Sequence, residues 1–297
     1  MELSEIQKQE YKAKLIDVFK LTIKFLNENH LSWWAYAGTA IGAVRHHGII
    51  PWDDDVDIFM PYDDYCRLQK MRNELQAINL EIYTPFEGDY YLPYTKIADK
   101  NTTVSELERF HFVGGVWIDV FPLYKTNATP DDYWQFVKKY GKYFERLQGG
   151  KMHFVWSDLK FYIKDFNPKA FRHWIKNLTI NRLLRKNNEI QFKHFLSTIH
   201  NPEGKNYMFP YTYMNSLNLF PIDWFRETCE MDFEDFKVKM PIDYDKILTR
   251  LYGDYMSLPP LDKRESTHSF YFVDLNKRYS YKQIKVILKN YRIKWKN

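Results

Sequence analysis

"GIIPWDDDVDIFM", residues 48–60, sets four aspartates within five positions, between a tryptophan and a run of apolar residues. Carboxylates packed that closely repel one another and resist burial, so the stretch calls for a cationic partner. The segment "VDIFM" (56–60) alternates and reads as a strand, with Val56 and Ile58 facing the core. Asp55 and Asp57 then share the opposite face, and Asp53 falls in the entering turn after Pro51 and Trp52. Two carboxylates about 7 Å apart on one strand face suit a hard, oxygen-seeking cation. By itself an Asp-x-Asp pair is more often structural than catalytic. The first three ligand positions of a calcium loop also match, but Ile58 replaces the turn glycine and Asp64 the closing glutamate.

Two neighbouring stretches strengthen the reading. Asp119 in "WIDVF" lies on a second predicted strand, and strand adjacency would add it as a third carboxylate. Upstream, "AGTAIGAVRHHG" (37–48) is a glycine turn followed by helical composition. Gly38 would let a phosphate approach the backbone, Thr39 would cap the helix, and the helix start would favour an anion. Arg45 would reach a phosphate or pair with an aspartate. Asp53 and Asp54 are expected to steady the metal ligands or to pair with Arg45 or His46. An ordinary turn explains Gly-Thr alone; an anion cradle beside a metal pair is what phosphoryl transfer from a nucleotide requires.

The rest of the 297-residue chain supports an α/β (α+β) architecture. Apolar residues at three- and four-residue intervals predict a helix over 3–28, and "LSWWAYAG" (31–38) reads as a buried strand. A helix is expected over 63–77, starting at aspartate, with strands at 80–84, 91–98 and 115–123. Near the end, 233–255 reads as a short extended piece and a helix stopped at Gly253. The predicted organisation is a catalytic core over 1–125, a basic aromatic helical lobe over 126–230, and a segment over 231–297 that completes the core.

Charge is distributed unevenly. Residues 138–193 carry fourteen lysines and arginines against four acidic residues, in a chain whose formal net charge is only +5. Such a middle fits an anionic partner, or simply a solvated helical face. Cys66 and Cys229 are in no ligand spacing, which argues against a zinc site or a disulfide framework. The charged start lacks a signal-peptide core, and no apolar run nears the ~18 residues a membrane span needs. A cytoplasmic setting is therefore expected, peripheral at the inner face of the membrane if 138–193 docks there.

The segment "GTAIGAVRHHGIIPWDDDVDIFMPYDDY" (38–65) closely resembles the signature of the LicD family, the phosphorylcholine-transferase-like group that includes the fukutin-related proteins. The resemblance continues through "YTKIADKNTTVSE" (94–106) and "GGVWIDVFPLY" (114–124), and returns in "FEDFKVKMPIDYDKILTRLYGDYMSLPP" (233–260). It covers nearly half the chain and leaves 125–230 without a family motif. It implies a nucleotidyltransferase-type mixed sheet with flanking helices. It also implies transfer of a phospho-alcohol from a CDP-linked donor to a sugar hydroxyl of a lipid-linked saccharide, a precursor of teichoic acid, capsule or lipopolysaccharide. Carried over by position, Gly38 and Thr39 form the donor-phosphate cradle, with Lys96 and His268 touching donor phosphates. Asp55, Asp57 and Asp119 become the catalytic carboxylates and the ligands of magnesium or manganese.

The transferred alcohol stays open at this stage. Choline would use aromatic faces, for which Trp33, Trp34, Trp52 and Trp117 are candidates. Ribitol phosphate or glycerol phosphate would instead require polar groups that the sequence does not locate. A metal-dependent nucleotide-sugar glycosyltransferase is a rival reading, and a binding module without catalysis another. A nucleic-acid partner is not expected, since basic charge without a recognised module is a weak argument.

Overall fold

In the computed structural model, Asp57 and Asp119 are register partners on two parallel strands, and the fold is built outward from that pairing. The structure describes residues 3–164, 167–211, 216–266 and 268–294. The first element is α1 (Glu5–Glu28), started by a reciprocal cap between Ser4 and Gln7. Strand β1 (Trp34–Ala35) runs into α2 (Ala37–Ile41), which widens to a π-type turn at Gly42–His46. Then follow β2 (Asp57–Pro61), α3 (Tyr62–Leu68), α4 (Arg72–Ala77), β3 (Leu80–Tyr83), β4 (Thr95–Asp99), β5 (Thr103–Ser105) and β6 (Trp117–Thr126). The basic middle holds α5 (Pro130–Lys151), α6 (Trp156–Lys164), α7 (Pro168–Lys176) and α8 (Arg185–Ile199). The chain ends with β7 (Asn206–Met208), β8 (Leu219–Pro221), β9 (Thr228–Phe233), β10 (Phe236–Pro241), α9 (Tyr244–Tyr252), β11 (Phe272–Asp274) and α10 (Tyr281–Lys294).

The central sheet runs β1-β2-β6-β4-β3, with β7 and β8 extending it from the far end of β6. Only the β2–β6 pair is parallel among these; the others are antiparallel. This is a mixed α/β architecture, as the sequence predicts. The period-two pattern of β2 buries both faces. Ile58 and Met60 pack with Ile97, Ile118, Val120 and α1 on one side. Phe59 and Phe121 pack with Trp34, Phe220 and Phe225 on the other. The later segments return to this core, since β11 pairs with β5 and β10 lies against β1.

Several local expectations are corrected. The strand expected over 31–38 shrinks to two residues, because Trp33 is drawn into the core, where its indole N–H donates to Asn27. The helix expected over 63–77 is two helices, interrupted at 69–71. Its start is not capped by aspartate: Pro61 holds the cap position, and Asp64 instead accepts from the Ser32 N–H and from Arg67. Thr39 caps nothing. The cap position of α2 is Tyr36, and the Thr39 hydroxyl accepts from the Asp57 N–H at 2.8 Å, clamping the start of β2. The stop at Gly253 is as expected, with φ of +68° where a Cβ would be strained.

Candidate active site

A row of polar side chains crosses the sheet at the start of β2. Trp34 opposes Phe59 and Ala35 opposes Ile58, so the next position along brings Tyr36 beside Asp57, joined by a backbone bond from the Tyr36 N–H. Asp57 is level with Asp119, Asp119 is opposite Lys96, and Lys96 is opposite Tyr83. Directly opposed residues share a face, so strand pairing alone brings Asp57, Asp119 and Lys96 together. The sequence predicted each of them separately; the row itself depends on strand order.

Lys96 is almost fully buried. Its ammonium lies 2.9 Å from Asp119 Oδ1, donates to Oδ2 at 3.3 Å, and sits 3.9 Å from the centre of the Trp117 ring. Oδ1 lies within ion-pair range but off the hydrogen-bonding direction, so among the described residues this buried oxygen has no hydrogen-bond donor. Burial raises the Asp119 carboxyl to about 6, while Lys96 opposes the rise. Asp57 is raised well above the ordinary carboxylate range by burial and then by the charges of Asp55, Asp119 and Asp53.

The turn entering β2 supplies the second part of the site. One carboxylate oxygen from each of Asp53, Asp54 and Asp55 lies within 4.8 Å of the others. Burial pushes Asp53 up to about 8, reinforced by the charge of Asp55. Burial also acts on Asp54, but hydrogen bonds from His268 and Ser266 outweigh it and hold this carboxyl below its ordinary value. His268 Nδ1 lies 2.8 Å from Asp54 Oδ1, and Nε2 lies 3.9 Å from Asp55 Oδ2. Desolvation disfavours the imidazolium, yet the Asp54 bond and the Asp55 charge carry His268 to about 9.

Crowded carboxylates, three of them (Asp53, Asp57 and Asp119) driven toward protonation and one, Asp119, with an orphaned oxygen, form an all-oxygen donor set that fits a hard divalent cation. Asp55, Asp57 and Asp119 lie close enough to feel one another's charge, but among the described residues the carboxylates whose oxygens come within 4.8 Å of one another are Asp53, Asp54 and Asp55.

Gly38 meets this cluster directly: a Cβ placed there would lie 2.4 Å from Asp53 Oδ2. Its bareness accommodates an aspartate, where the sequence suggested room for a phosphate. The first N–H groups of α2 have no intrahelical acceptor, as at any helix start. Arg45 is used differently from expectation. It donates to the carbonyls of Tyr255 and Ser257 and to His46, and no aspartate pairs with it among the described residues. Asp54 pairs with His268 rather than with Arg45 or His46. Through Tyr255, whose hydroxyl donates to Asp245, Arg45 ties 244–257 to the turn that follows Gly38. At the β9–β10 hairpin tip, Glu234 accepts from the Ile49 N–H and donates its own N–H to the His47 carbonyl, fixing the run into the aspartates.

Beside Asp53 and Asp54 opens a cavity of about 960 Å³, walled by Tyr11, Lys12, Trp52, Arg264, His268 and Phe270 among others. Of the four candidate tryptophans, Trp33, Trp34 and Trp117 are buried in the core. Trp52 alone lines the cavity, with the Arg264 guanidinium 5.3 Å from its ring centre. Sequence reasoning missed Ser266 and Glu106. Glu106 accepts from the Tyr91 hydroxyl at 2.7 Å and adds negative charge around Asp119. It closes the segment 94–106, a signal that was present but named no role.

Comparison with known proteins gives a separate finding. Residues 30–148 match the family described as LicD/FKTN/FKRP, nucleotidyltransferase domain. Those residues are similar to that family over less than half of the chain. The matched region spans Gly38, the aspartate turn, Lys96 and Asp119; His268 lies beyond it. Over 249 residues the chain is 24% identical to the lipopolysaccharide cholinephosphotransferase LicD of Haemophilus influenzae, covering 80% of this chain and 87% of that protein. An uncharacterised protein of Rickettsia prowazekii is 29% identical over 126 residues, 40% of this chain and 47% of its own length. The mannosyltransferase regulator 4 of Saccharomyces cerevisiae is 28% identical over 131 residues, 42% of this chain but only 11% of that protein.

Proposed function

We propose that this protein is a phosphotransferase that moves phosphocholine from CDP-choline to a sugar hydroxyl of a cell-surface glycopolymer precursor, releasing CMP. Lipopolysaccharide is the favoured polymer, because the relative aligned over most of both chains is a lipopolysaccharide cholinephosphotransferase. The observation that carries the proposal is the Asp57–Asp119–Lys96 row placed beside the aspartate turn.

Asp55, Asp57 and Asp119 would hold magnesium or manganese, with Asp53 and Asp54 adjoining. When bound, such an ion supplies charge neutralisation on the donor diphosphate and on departing CMP. The chain's own residues do the remainder. Asp119 takes the proton of the acceptor hydroxyl as its oxygen attacks the phosphorus bearing choline, and the bond to the CMP oxygen breaks. Lys96 orients Asp119 and offsets its charge. His268, held as a cation by Asp54, would meet a donor phosphate. Gly38 leaves room for Asp53 beside the donor site, and Thr39 fixes the β2 start. Arg45 acts through position, by holding 255–257.

The cavity beside Trp52 has the size of a nucleotide-alcohol ligand. Its aromatic walls suit a quaternary ammonium, although Arg264 takes up one approach to the Trp52 ring. The test is CMP release from CDP-choline, CDP-ribitol and CDP-glycerol with saccharide acceptor extract, with and without magnesium. Magnesium-dependent release from CDP-choline alone is the expected result. Release from a polyol donor would keep the chemistry and overturn choline. Turnover of UDP-sugars instead would overturn the phosphotransfer reading.

A further inference from the structure

The basic middle carries a second surface that the catalytic reading does not use. On α6–α8 and the π-type turn at Asn177–Asn181, large apolar side chains project into solvent: Trp156 at 70% exposure, Phe161 at 59%, Ile163 at 65%, Ile180 at 52% and Leu183 at 86%. A run of exposed side chains this large exceeds the scattered single hydrophobics of an ordinary surface. The segments that bear them are held together. Phe154 packs against both Trp156 and the buried Trp174 of α7, and Arg182 donates to the Met152 carbonyl, which brings the stretch before Leu183 against the irregular segment entering α6.

Among the described residues, the exposed charges between these side chains have one sign. Lys160, Lys164, Lys169 and Lys176 are exposed and pair with no carboxylate among the described residues. The acidic groups of the same stretch are neutralised inward. Asp158 is buried and lies 3.1 Å from Arg109, and Glu189 is held by Lys151 at 3.3 Å and Arg185 at 3.2 Å. Asp165 lies outside the described residues. Apolar tips including a tryptophan, set among unpaired lysines with the acids turned in, form the pattern of an interfacial membrane anchor. No helix among the described residues is long and apolar enough to cross a membrane, so contact here would be from one side.

We infer that residues 154–164 and 167–190 form a docking surface for an anionic lipid bilayer, with Trp156, Ile163 and Leu183 entering the headgroup region and the lysines meeting lipid phosphates. This surface stands apart from the carboxylate cluster and does not depend on the reaction proposed above. A protein partner would be expected to meet a surface of mixed sign, and among the described residues of 154–190 the exposed charge is positive.

The test is flotation of the full chain with vesicles of phosphatidylcholine, with and without phosphatidylglycerol. Binding should require the anionic lipid and fall in high salt, where the screening length contracts to about 3 Å at 1 M. The double variant Trp156→Ser, Leu183→Ser and the charge variant Lys164→Glu, Lys169→Glu, Lys176→Glu should each weaken binding. Each lysine lost should cost about fivefold in affinity. All five positions are exposed, and circular dichroism of each variant should match the parent. Absence of flotation, or equal flotation on neutral vesicles unaffected by the charge variant, would overturn the inference. So would concentration-dependent self-association in lipid-free solution that the Trp156/Leu183 variant abolishes, which would make the face a contact between copies.

Discussion

Asp57 and Asp119 stand side by side across a parallel strand pair, and only Asp119 has a cation of its own, Lys96 at 2.9 Å. The two carboxylates therefore differ in what their removal does to the fold. Asp57 is destabilised by burial and by three neighbouring aspartates, so Asp57→Asn removes repulsion. In metal-free protein it should raise stability by about 1 kcal/mol, near 2–4 °C in Tm for a chain of this size. Asp119→Asn leaves a buried lysine unpaired and should lower Tm. Both should reduce CMP release by about a hundredfold or more. Thermal melts with added magnesium separate the effects: the parent should be stabilised by the ion and both variants much less so. Equal melting shifts for the two variants would contradict the assignment.

The same pair predicts a thermodynamic coupling. Lys96→Met exposes nothing to solvent but strips Asp119 of its counter-charge in a site almost closed to water. Breaking one side of a buried pair costs about 3 kcal/mol. The double variant Lys96→Met, Asp119→Asn should lose clearly less than the sum of the two single losses, because neither charge is then left alone. Urea titrations of the four proteins measure this directly; additive losses would mean that the ion pair contributes nothing net.

Two glycines should fail in different ways. At Gly115 a Cβ would meet the Asp99 carbonyl at 1.8 Å, a backbone atom that cannot step aside. Gly115→Ala should therefore impair folding, with loss of soluble protein or a drop of several kcal/mol. At Gly38 the obstacle is Asp53 Oδ2, the end of a side chain that can rotate. Gly38→Ala should fold with near-parent Tm yet weaken magnesium-dependent stabilisation and turnover, since the carboxylate must leave its place. Parent-like turnover in Gly38→Ala would show that the position of Asp53 does not matter to the reaction.

Much of this site could be read from the residues themselves. Alternation over 56–60 located β2, and the apolar flanks of Asp119 located β6, because a period of two survives wherever a strand is buried. The pairing that makes a row of Asp57, Asp119 and Lys96 is a property of strand order, which the local sequence does not encode. The expected pairing of Arg45 with an aspartate, and of Asp54 with Arg45 or His46, fails for the same reason. Their partners at 255–257 and at His268 lie over two hundred residues away, so nearby His46 and Arg45 offered themselves instead. Thr39 looked like a cap because Gly-Thr precedes helical composition; the helix begins earlier, with Ala37 at a φ of +49° carrying the chain out of β1. The short strands β5, β7, β8 and β11 have three residues each, too few for a periodicity to register.

A final prediction concerns acid stability, away from the site. His111 and His153 stack with ring centres 3.4 Å apart and planes within 12°, and Arg182 Nη1 lies 3.4 Å from His153 Nδ1. Burial lowers His153 to about 4, helped by His111 and Arg182, and burial likewise lowers His111. A histidine with a depressed folded value binds its proton more readily in the unfolded chain. Its contribution is thus fully present above the unfolded value of about 6.5 and is lost as pH falls toward 4. Asp53, raised to about 8, works in the opposite sense, gaining stability on acidification from 8 toward 4. The net curve mixes the two, so the informative measurement is a difference. Tm of His153→Gln minus Tm of the parent should be flat above pH 7 and rise between pH 6.5 and 4. A difference that stays flat through that range would mean that both rings accept protons as easily folded as unfolded, and that the stack is open to water.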